Sequence, residues 1–190
     1  MLNDVYSKVL NLAQKRNAPF ILGVISFFEA IIFPIPPDTL LIPMSLAKRN
    51  KALYFAGITT FFSILGGGVG YLIGAVFWIG IGSKIIETMG YSEAYETFVD
   101  LYNKNGLIVV LVGALTPFPF KVVAILSGTV SFPFWFFILA STFSRGLRFY
   151  FIAIVIYVWG KKIDWFIRRY SGITFMVLVI LMCGVYLIIK

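Results

Sequence analysis

Two apolar stretches of this chain are broken near their middle by proline. Residues 20–47 are interrupted by Pro34, Ile35, Pro36 and Pro37, and residues 106–130 by Pro117, Phe118 and Pro119. Proline removes an amide donor and its ring blocks the preceding turn, so each stretch reads as two short half-helices. Arms of about 11 to 14 residues reach roughly 16 to 21 Å, a little over half the thickness of a hydrocarbon layer. That length suits a re-entrant hairpin, whose broken backbone must be buried in protein or face water.

The remaining composition fits a membrane. Of 190 residues, 60% are apolar and only 13% charged, against about a quarter charged in soluble domains. Three further apolar stretches, residues 52–82, 132–159 and 173–189, are each of spanning length or close to it. No linker or low-complexity tract divides the chain, so residues 1–190 read as one membrane domain. Residues 1–18 carry Lys8, Lys15 and Arg16 among apolar residues at helical spacing, which predicts a helix lying on the membrane surface. A net charge of +8 would suggest nucleic acid in a soluble protein. Here the basic residues cluster beside apolar segments, so no nucleic-acid partner is expected. With no His and a single cysteine, Cys183, the chain lacks the usual metal ligands and any internal disulfide; no metal or cofactor is expected. Cys183 reads as a buried small hydrophobe.

The basic clusters also orient the chain. A full crossing by residues 20–47 would put Lys15 and Arg16 opposite Lys48, Arg49 and Lys51, against the preference of basic loops for the cytoplasm. A hairpin that enters and leaves on one side removes the conflict. Residues 52–82 then cross outward to a net acidic linker, residues 83–105, which holds Glu87, Glu93, Glu96 and Asp100. Residues 106–130 form a second hairpin, residues 132–159 cross back, and Lys161, Lys162, Arg168 and Arg169 arrive in the cytoplasm with the N-terminus. In the linker, Tyr91, Ala94, Tyr95, Phe98, Leu101 and Tyr102 share a helical face, which predicts a second interfacial helix.

The two halves resemble each other. Pro34 to Asp38 superposes on Pro117 to Lys121, and Tyr71 to Gly74 on Tyr157 to Gly160. Each half is one hairpin plus one crossing helix, so the second copy is inverted, as in transporters whose sites form between paired broken helices. The fold class expected is an all-α integral membrane protein with two inverted repeats, a C-terminal transmembrane helix and amphipathic interfacial helices.

Five ionisable residues lie inside these apolar stretches: Glu29, Asp38, Lys121, Arg145 and Arg148. Each Asp, Lys or Arg at a helix centre costs roughly 2.5 to 3.5 kcal/mol on insertion, so the five mark the working part of the protein. Asp38 opens a half-helix, where the dipole favours an anion; it reads either as an N-terminal cap beside Thr39 or as a functional carboxylate. Glu29 has no such local role. Lys121 sits at a helix N-terminus, where a cation is disfavoured, so it needs a carboxylate or an anionic ligand, or else snorkels outward as an anchor. Arg145 and Arg148 are three residues apart on one helical face. They either lock the hairpins through bridges to Glu29 and Asp38 or use their forks to hold phosphate oxygens as well. Gly66, Gly70 and Gly74, with Gly67 and Gly68, predict close helix packing and room for a neighbouring hairpin.

Phe28, Glu29, the Pro34 to Asp38 break and the later Gly66, Gly70, Tyr71 and Gly74 resemble the DedA family, also called the VTT or SNARE-associated Golgi protein family. Thr116 to Lys121, Ser127, Gly128 and Arg145 to Phe149 are similar to its YqaA-type branch. The resemblance covers roughly residues 20–160. It implies two re-entrant hairpins, a multi-pass protein of the bacterial inner (plasma) membrane and movement of lipids between leaflets, with phospholipids or undecaprenyl phosphate as substrates of bacterial relatives. Glu29 and Asp38 match the family's acidic positions. Many members carry two arginines in the second hairpin where this chain offers Lys121 alone, so undecaprenyl phosphate specificity is not carried over.

The function expected is translocation of a phosphate-bearing membrane lipid, of flippase or scramblase type, with protonation of Glu29 or Asp38 relaxing the ion pairs. Two alternatives stand beside it: a proton-coupled transporter of a small anion or drug, and a membrane scaffold whose charges only lock helices together. Membrane lipids are the expected partners, and self-association is compatible with the sequence. An enzyme is not expected, because no histidine, reactive cysteine or serine with a base is present.

Overall fold

The computed structural model of the protein describes residues 17–33, 36–90, 92–116 and 119–160, and all regular structure among them is helical. The surface helix predicted for residues 1–18 falls almost wholly outside the described residues. So do Pro34, Ile35, Tyr91, Pro117, Phe118, the basic residues 161–169, the C-terminal span 173–189 and Cys183.

Helix α1, Ala18–Ile31, opens with Pro19 in its first turn, where a missing amide is harmless. It ends as the Ile32 and Phe33 amides both bond the Phe28 carbonyl, just before the first proline break. Helix α2, Asp38–Ala47, follows the break with Asp38 in its first turn. A single 3₁₀ turn, Arg49–Lys51, leads into α3, Ala52–Phe77. Helix α3 continues through a π turn, Trp78–Gly82, into α4, Ser83–Thr88. Helix α5, Ser92–Leu115, precedes the second break, and α6, Phe120–Thr129, follows it. Helix α7 spans Phe134–Gly160. The runs Arg49–Thr88 and Phe134–Gly160 are each long and apolar enough to cross a bilayer.

Two boundaries and one helix face differ from expectation. The first crossing helix runs on to Thr88, past Gly82, because the π turn absorbs an irregularity without stopping the helix. The second hairpin does not begin at Gly106. Asn103, Lys104 and Asn105 stay helical, so the linker from Ser92 onward and the first arm are one helix of 24 residues. A lone glycine weakens a helix without ending it. The linker's aromatic face is also partly turned inward. Tyr95 stacks on Trp78 at 3.9 Å and its hydroxyl donates to the Thr129 carbonyl, while Tyr102 is buried and bonds Ser127 Oγ at 2.6 Å.

Glycines set the directions of the helices. Phe62 crowds Gly23, the Phe27 carbonyl lies against Gly66, and the Ala30 carbonyl against Gly70, so α1 runs parallel to α3. Phe120 meets Gly67, Ala124 meets Gly70 and Ile125 meets Gly74, so α6 runs parallel to α3 as well. Gly113 against Val123 and Gly106 against Phe132 make α5 antiparallel to α6. Gly160 against Arg49 at one end and Gly68 against Phe134 and Ile138 at the other make α7 antiparallel to α3.

Two apolar clusters fill the interior. One gathers Ala18 and Leu22 of α1, Leu41 and Met44 of α2, Ala52 and Phe55 of α3, and Phe149 and Ala153 of α7. The start of α1 and the end of α2 therefore meet at the same end of the molecule, and the chain doubles back between them. The other cluster joins Ala30, Tyr71, Val110, Phe120, Phe132 and Phe137 around the second pair. Tyr71 donates to the Phe132 carbonyl at 2.5 Å, tying α3 to the turn after α6. In that turn the Phe132 amide bonds the Ser127 carbonyl and the Ser131 amide that of Gly128, a Schellman closure with Ser131 at φ 54° in place of glycine.

A Cβ on Gly128 would stand 1.9 Å from the Tyr71 carbonyl oxygen, and one on Gly74 2.0 Å from that of Ile125, so backbone would have to move. Gly74→Val and Gly128→Val are expected to cost about 3 kcal/mol each, lowering the melting temperature in detergent by roughly 6 to 12 °C. Gly80→Ala, which meets nothing within 4 Å, should leave it unchanged. Ser131→Gly should raise it by about 2 to 4 °C by removing a left-handed side chain.

Candidate functional site

A helix that ends inside a membrane leaves its last carbonyls without partners, and water is absent to supply them. Two helices end at the proline breaks, α1 and α5. The carbonyls beyond α1 are met by Lys121, whose Nζ donates to Ile32 O at 3.2 Å and Phe33 O at 3.5 Å. The carbonyl beyond α5 is met by Arg148, whose Nη1 donates to Thr116 O at 2.8 Å. Each break is therefore covered by a cation from another helix. A third cation does the same at the far end of α7: Arg49 Nη2 donates to Tyr157 O at 2.6 Å.

The second donor of Arg148, Nη2, pairs with Asp38 Oδ2 at the start of α2. Arg148 thus links the last turn of α5 to the first turn of α2, across both breaks. Asp38 caps nothing with its side chain: Pro37 occupies the cap position, no side-chain cap bond forms, and Thr39 Oγ1 bonds the Pro36 carbonyl instead. The carboxylate faces the arginine, which removes the reading of Asp38 as a simple helix cap. Its other oxygen, Oδ1, is buried and makes no hydrogen bond to protein.

One turn back on α7, Arg145 Nη2 pairs with Glu29 Oε2 at 3.2 Å. The Arg145 guanidinium lies 4.3 Å from the Phe120 ring centroid and 5.5 Å from that of Phe149. Aromatic faces on a cation add electrostatic attraction where solvent is excluded. Arg145 is nearly sealed, with 3% of its side chain exposed, whereas Arg148 and Asp38 keep 21% and 17%. The two arginines share a face of α7 but differ in access.

All five charges named from the sequence come together at this place. Arg145 and Arg148 flank the middle of Phe134–Gly160, and Phe27 to Ala30 contact Gly66 and Gly70, close to the middle of Ala52–Phe77. Gly66 and Gly70 admit α1, and Gly74 admits α6; the arms of the broken pairs, rather than their tips, occupy the space the glycines leave. Of the prolines, Pro36, Pro37 and Pro119 flank the described parts of the breaks. Among the described residues Lys121 pairs with no carboxylate; it is turned to the carbonyls of the other break. The sequence reading missed those acceptors, Ile32, Phe33 and Thr116, because they are backbone atoms. The signal was present in a weaker form, since any helix stopped by proline at depth needs a donor for its last carbonyls.

No metal cluster of His, Cys, Asp or Glu occurs among the described residues. What the arrangement offers is anion chemistry: three cationic side chains and two carboxylates, each holding a partner that an anion or a proton could replace.

The VTT domain family matches residues 35–158. An uncharacterized protein of Haemophilus influenzae is 35% identical over 192 residues, covering 100% of this chain and 98% of its own length. An uncharacterized protein of Histophilus somni is 36% identical over 190 residues, covering 100% of this chain and 99% of its own. No solved structure matches the chain. The matched region begins within the first proline break and closes near the end of α7, enclosing Asp38, Lys121, Arg145 and Arg148: the chain belongs to the VTT, or DedA, family of membrane proteins.

Proposed function

We propose that the protein is a lipid translocase of flippase or scramblase type, which moves a phosphate-bearing lipid between leaflets through the place where the two broken helix pairs meet. Membership of the VTT family supports a transport-related role in a membrane. The observation that carries the finer reading is the difference in enclosure between the two arginines, 3% against 21% exposed. Arg145 is enclosed by aromatic rings and, paired with Glu29, acts as the lock. Arg148 and Asp38 are partly open, and with Lys121 they hold the two breaks through contacts that a phosphate can substitute one for one.

In this reading the head group approaches Arg148 and Lys121 and displaces carbonyl and carboxylate partners. Protonation of Asp38 or Glu29 has the same effect from the other side of the pair, by freeing its arginine. The opposite directions of α1, α2 and α3 relative to α5, α6 and α7 support the inverted repeat, which would let the two halves exchange exposure about the fixed charges. The orientation proposed keeps the N-terminus and the Arg49 turn on the cytoplasmic side of a bacterial inner membrane.

The scaffold reading has one observation of its own, that all five charges are partnered within the protein. Reconstitution separates the two. Liposomes holding the protein should move labelled phospholipid or undecaprenyl phosphate at least about tenfold faster than empty liposomes, and Arg148→Gln and Lys121→Gln should each lose most of that gain while remaining folded. Wild-type flipping at the empty-liposome rate contradicts the translocase. Flux of a soluble anion that follows a pH gradient, with no lipid movement, would favour the proton-coupled transporter.

The lock makes a separate prediction. Arg145→Met leaves Glu29 buried without its partner and is expected to cost about 3 to 5 kcal/mol, whereas the double replacement Glu29→Gln with Arg145→Met should recover most of that loss. Melting of the single and double variants in detergent checks it; a double variant as unstable as Arg145→Met alone contradicts the pairing.

A further inference from the structure

Beside Arg148 the surface of α7 is not flat. A groove of about 430 Å³ lies between the last turn of α5 and the second half of α7, within the volume range of small-ligand sites. Leu115 forms one wall, and Leu147, Tyr150, Phe151, Ile152 and Ile154 form the other, with Arg148 as its one charged residue. Leu147, Tyr150, Phe151 and Ile154 recur at the spacing of a single helical stripe, which runs roughly 10 Å along the axis. It is an open surface: Phe151 is 67% exposed, Leu147 50% and Ile154 50%. Among the described residues nothing covers this face, and it belongs to a helix long and apolar enough to span a bilayer, so it is open to hydrocarbon.

We propose that this groove is a lateral binding site for one acyl chain of an anionic phospholipid whose phosphate reaches Arg148. The proposal rests on the translocase reading and adds the route by which the lipid reaches the charges. Apolar walls select a hydrocarbon chain and disfavour a soluble anion, which would lose water without gaining partners there. The one charged lining residue is a cation, and it is the more exposed of the two arginines, so charge complementarity selects a negative head group. The Thr116 carbonyl at the end of the Leu115 wall is already bonded to Arg148. A chain lying along the stripe therefore places its phosphate beside a guanidinium that holds the second break. The groove would hold part of an acyl chain and a much smaller part of a long polyisoprenoid.

Photo-crosslinking tests the groove directly. The photoreactive amino acid p-benzoylphenylalanine is placed at Phe151, in the groove, or at Trp135, on an exposed part of the same helix away from it. Each protein is reconstituted into phosphatidylcholine vesicles containing a minority of phosphatidylglycerol, and the crosslinked lipids are identified by mass spectrometry. Phosphatidylglycerol should be enriched about tenfold over the bilayer at position 151, the preference expected of one charge-assisted contact, and unenriched at position 135. Leu115→Trp, which fills the groove, and Arg148→Gln should each abolish the enrichment. If Arg148→Gln fails to fold, Leu115→Trp decides alone. Equal lipid composition at the two positions overturns the proposal. So does enrichment of undecaprenyl phosphate, in vesicles where it replaces phosphatidylglycerol, when phosphatidylglycerol itself shows none. Enrichment at position 151 by a protein that moves no lipid would keep the groove and remove the translocase; lipid movement without enrichment would remove the groove alone.

Discussion

A helix that stops at membrane depth exposes carbonyl oxygens that nothing in hydrocarbon can bond, and the cations that meet those oxygens organise the rest of the molecule. Lys121 covers the end of α1 and Arg148 the end of α5, so each broken pair is completed by a residue from outside it. Charge at that depth is expensive by itself. It becomes tolerable because each cation also replaces water for a helix terminus, and because Asp38 and Glu29 balance the two arginines.

Packing makes this possible. The glycines of α3 admit α1 on one side and α6 on the other at backbone contact distance, which brings Glu29 and Lys121 to the same level as the middle of α7. The difference between an enclosed arginine and a partly open one then follows from aromatic placement. Phe120 and Phe149 cover Arg145, whereas Arg148, one turn further along α7, opens onto the groove beside Leu115. One arginine is enclosed by its surroundings and the other keeps a fifth of its side chain exposed. On the proposed function, a structural lock and an exchangeable site share four residues of one helix.

Much of this was legible in the chain because the cost of a buried charge and of a proline in a helix does not depend on the fold. Glu29, Asp38, Arg145 and Arg148 stood out on cost alone, as did the two breaks, and the glycine spacing on residues 66–74 announced close packing. The pairing itself was legible only as a set of options. Three-residue spacing puts both arginines on one face, but which carboxylate each takes depends on how far α1 and α2 reach along α7. Lys121 was only half legible for a related reason: its position in its own helix argues for an anion and gives no sign of the carbonyls of another segment that it bonds. The continuity of α5 through Gly106 was hidden because a change from polar to apolar composition looks like a boundary, although the backbone has no reason to break there. Tyr95 and Tyr102 turned from the expected interface toward Trp78 and Ser127, a choice between lipid and protein that an amphipathic face leaves open.

A high-resolution structure of the protein in nanodiscs containing phosphatidylglycerol would show whether the contacts of Arg148 and Lys121 at the two breaks exchange for a lipid phosphate. Phosphate density is expected within hydrogen-bond distance of Arg148, with the Arg148 to Asp38 contact lengthened or lost and the Arg145 to Glu29 pair intact. Both ion pairs closed, with lipid density confined to the outer surface of the helices and none at Arg148, would contradict it.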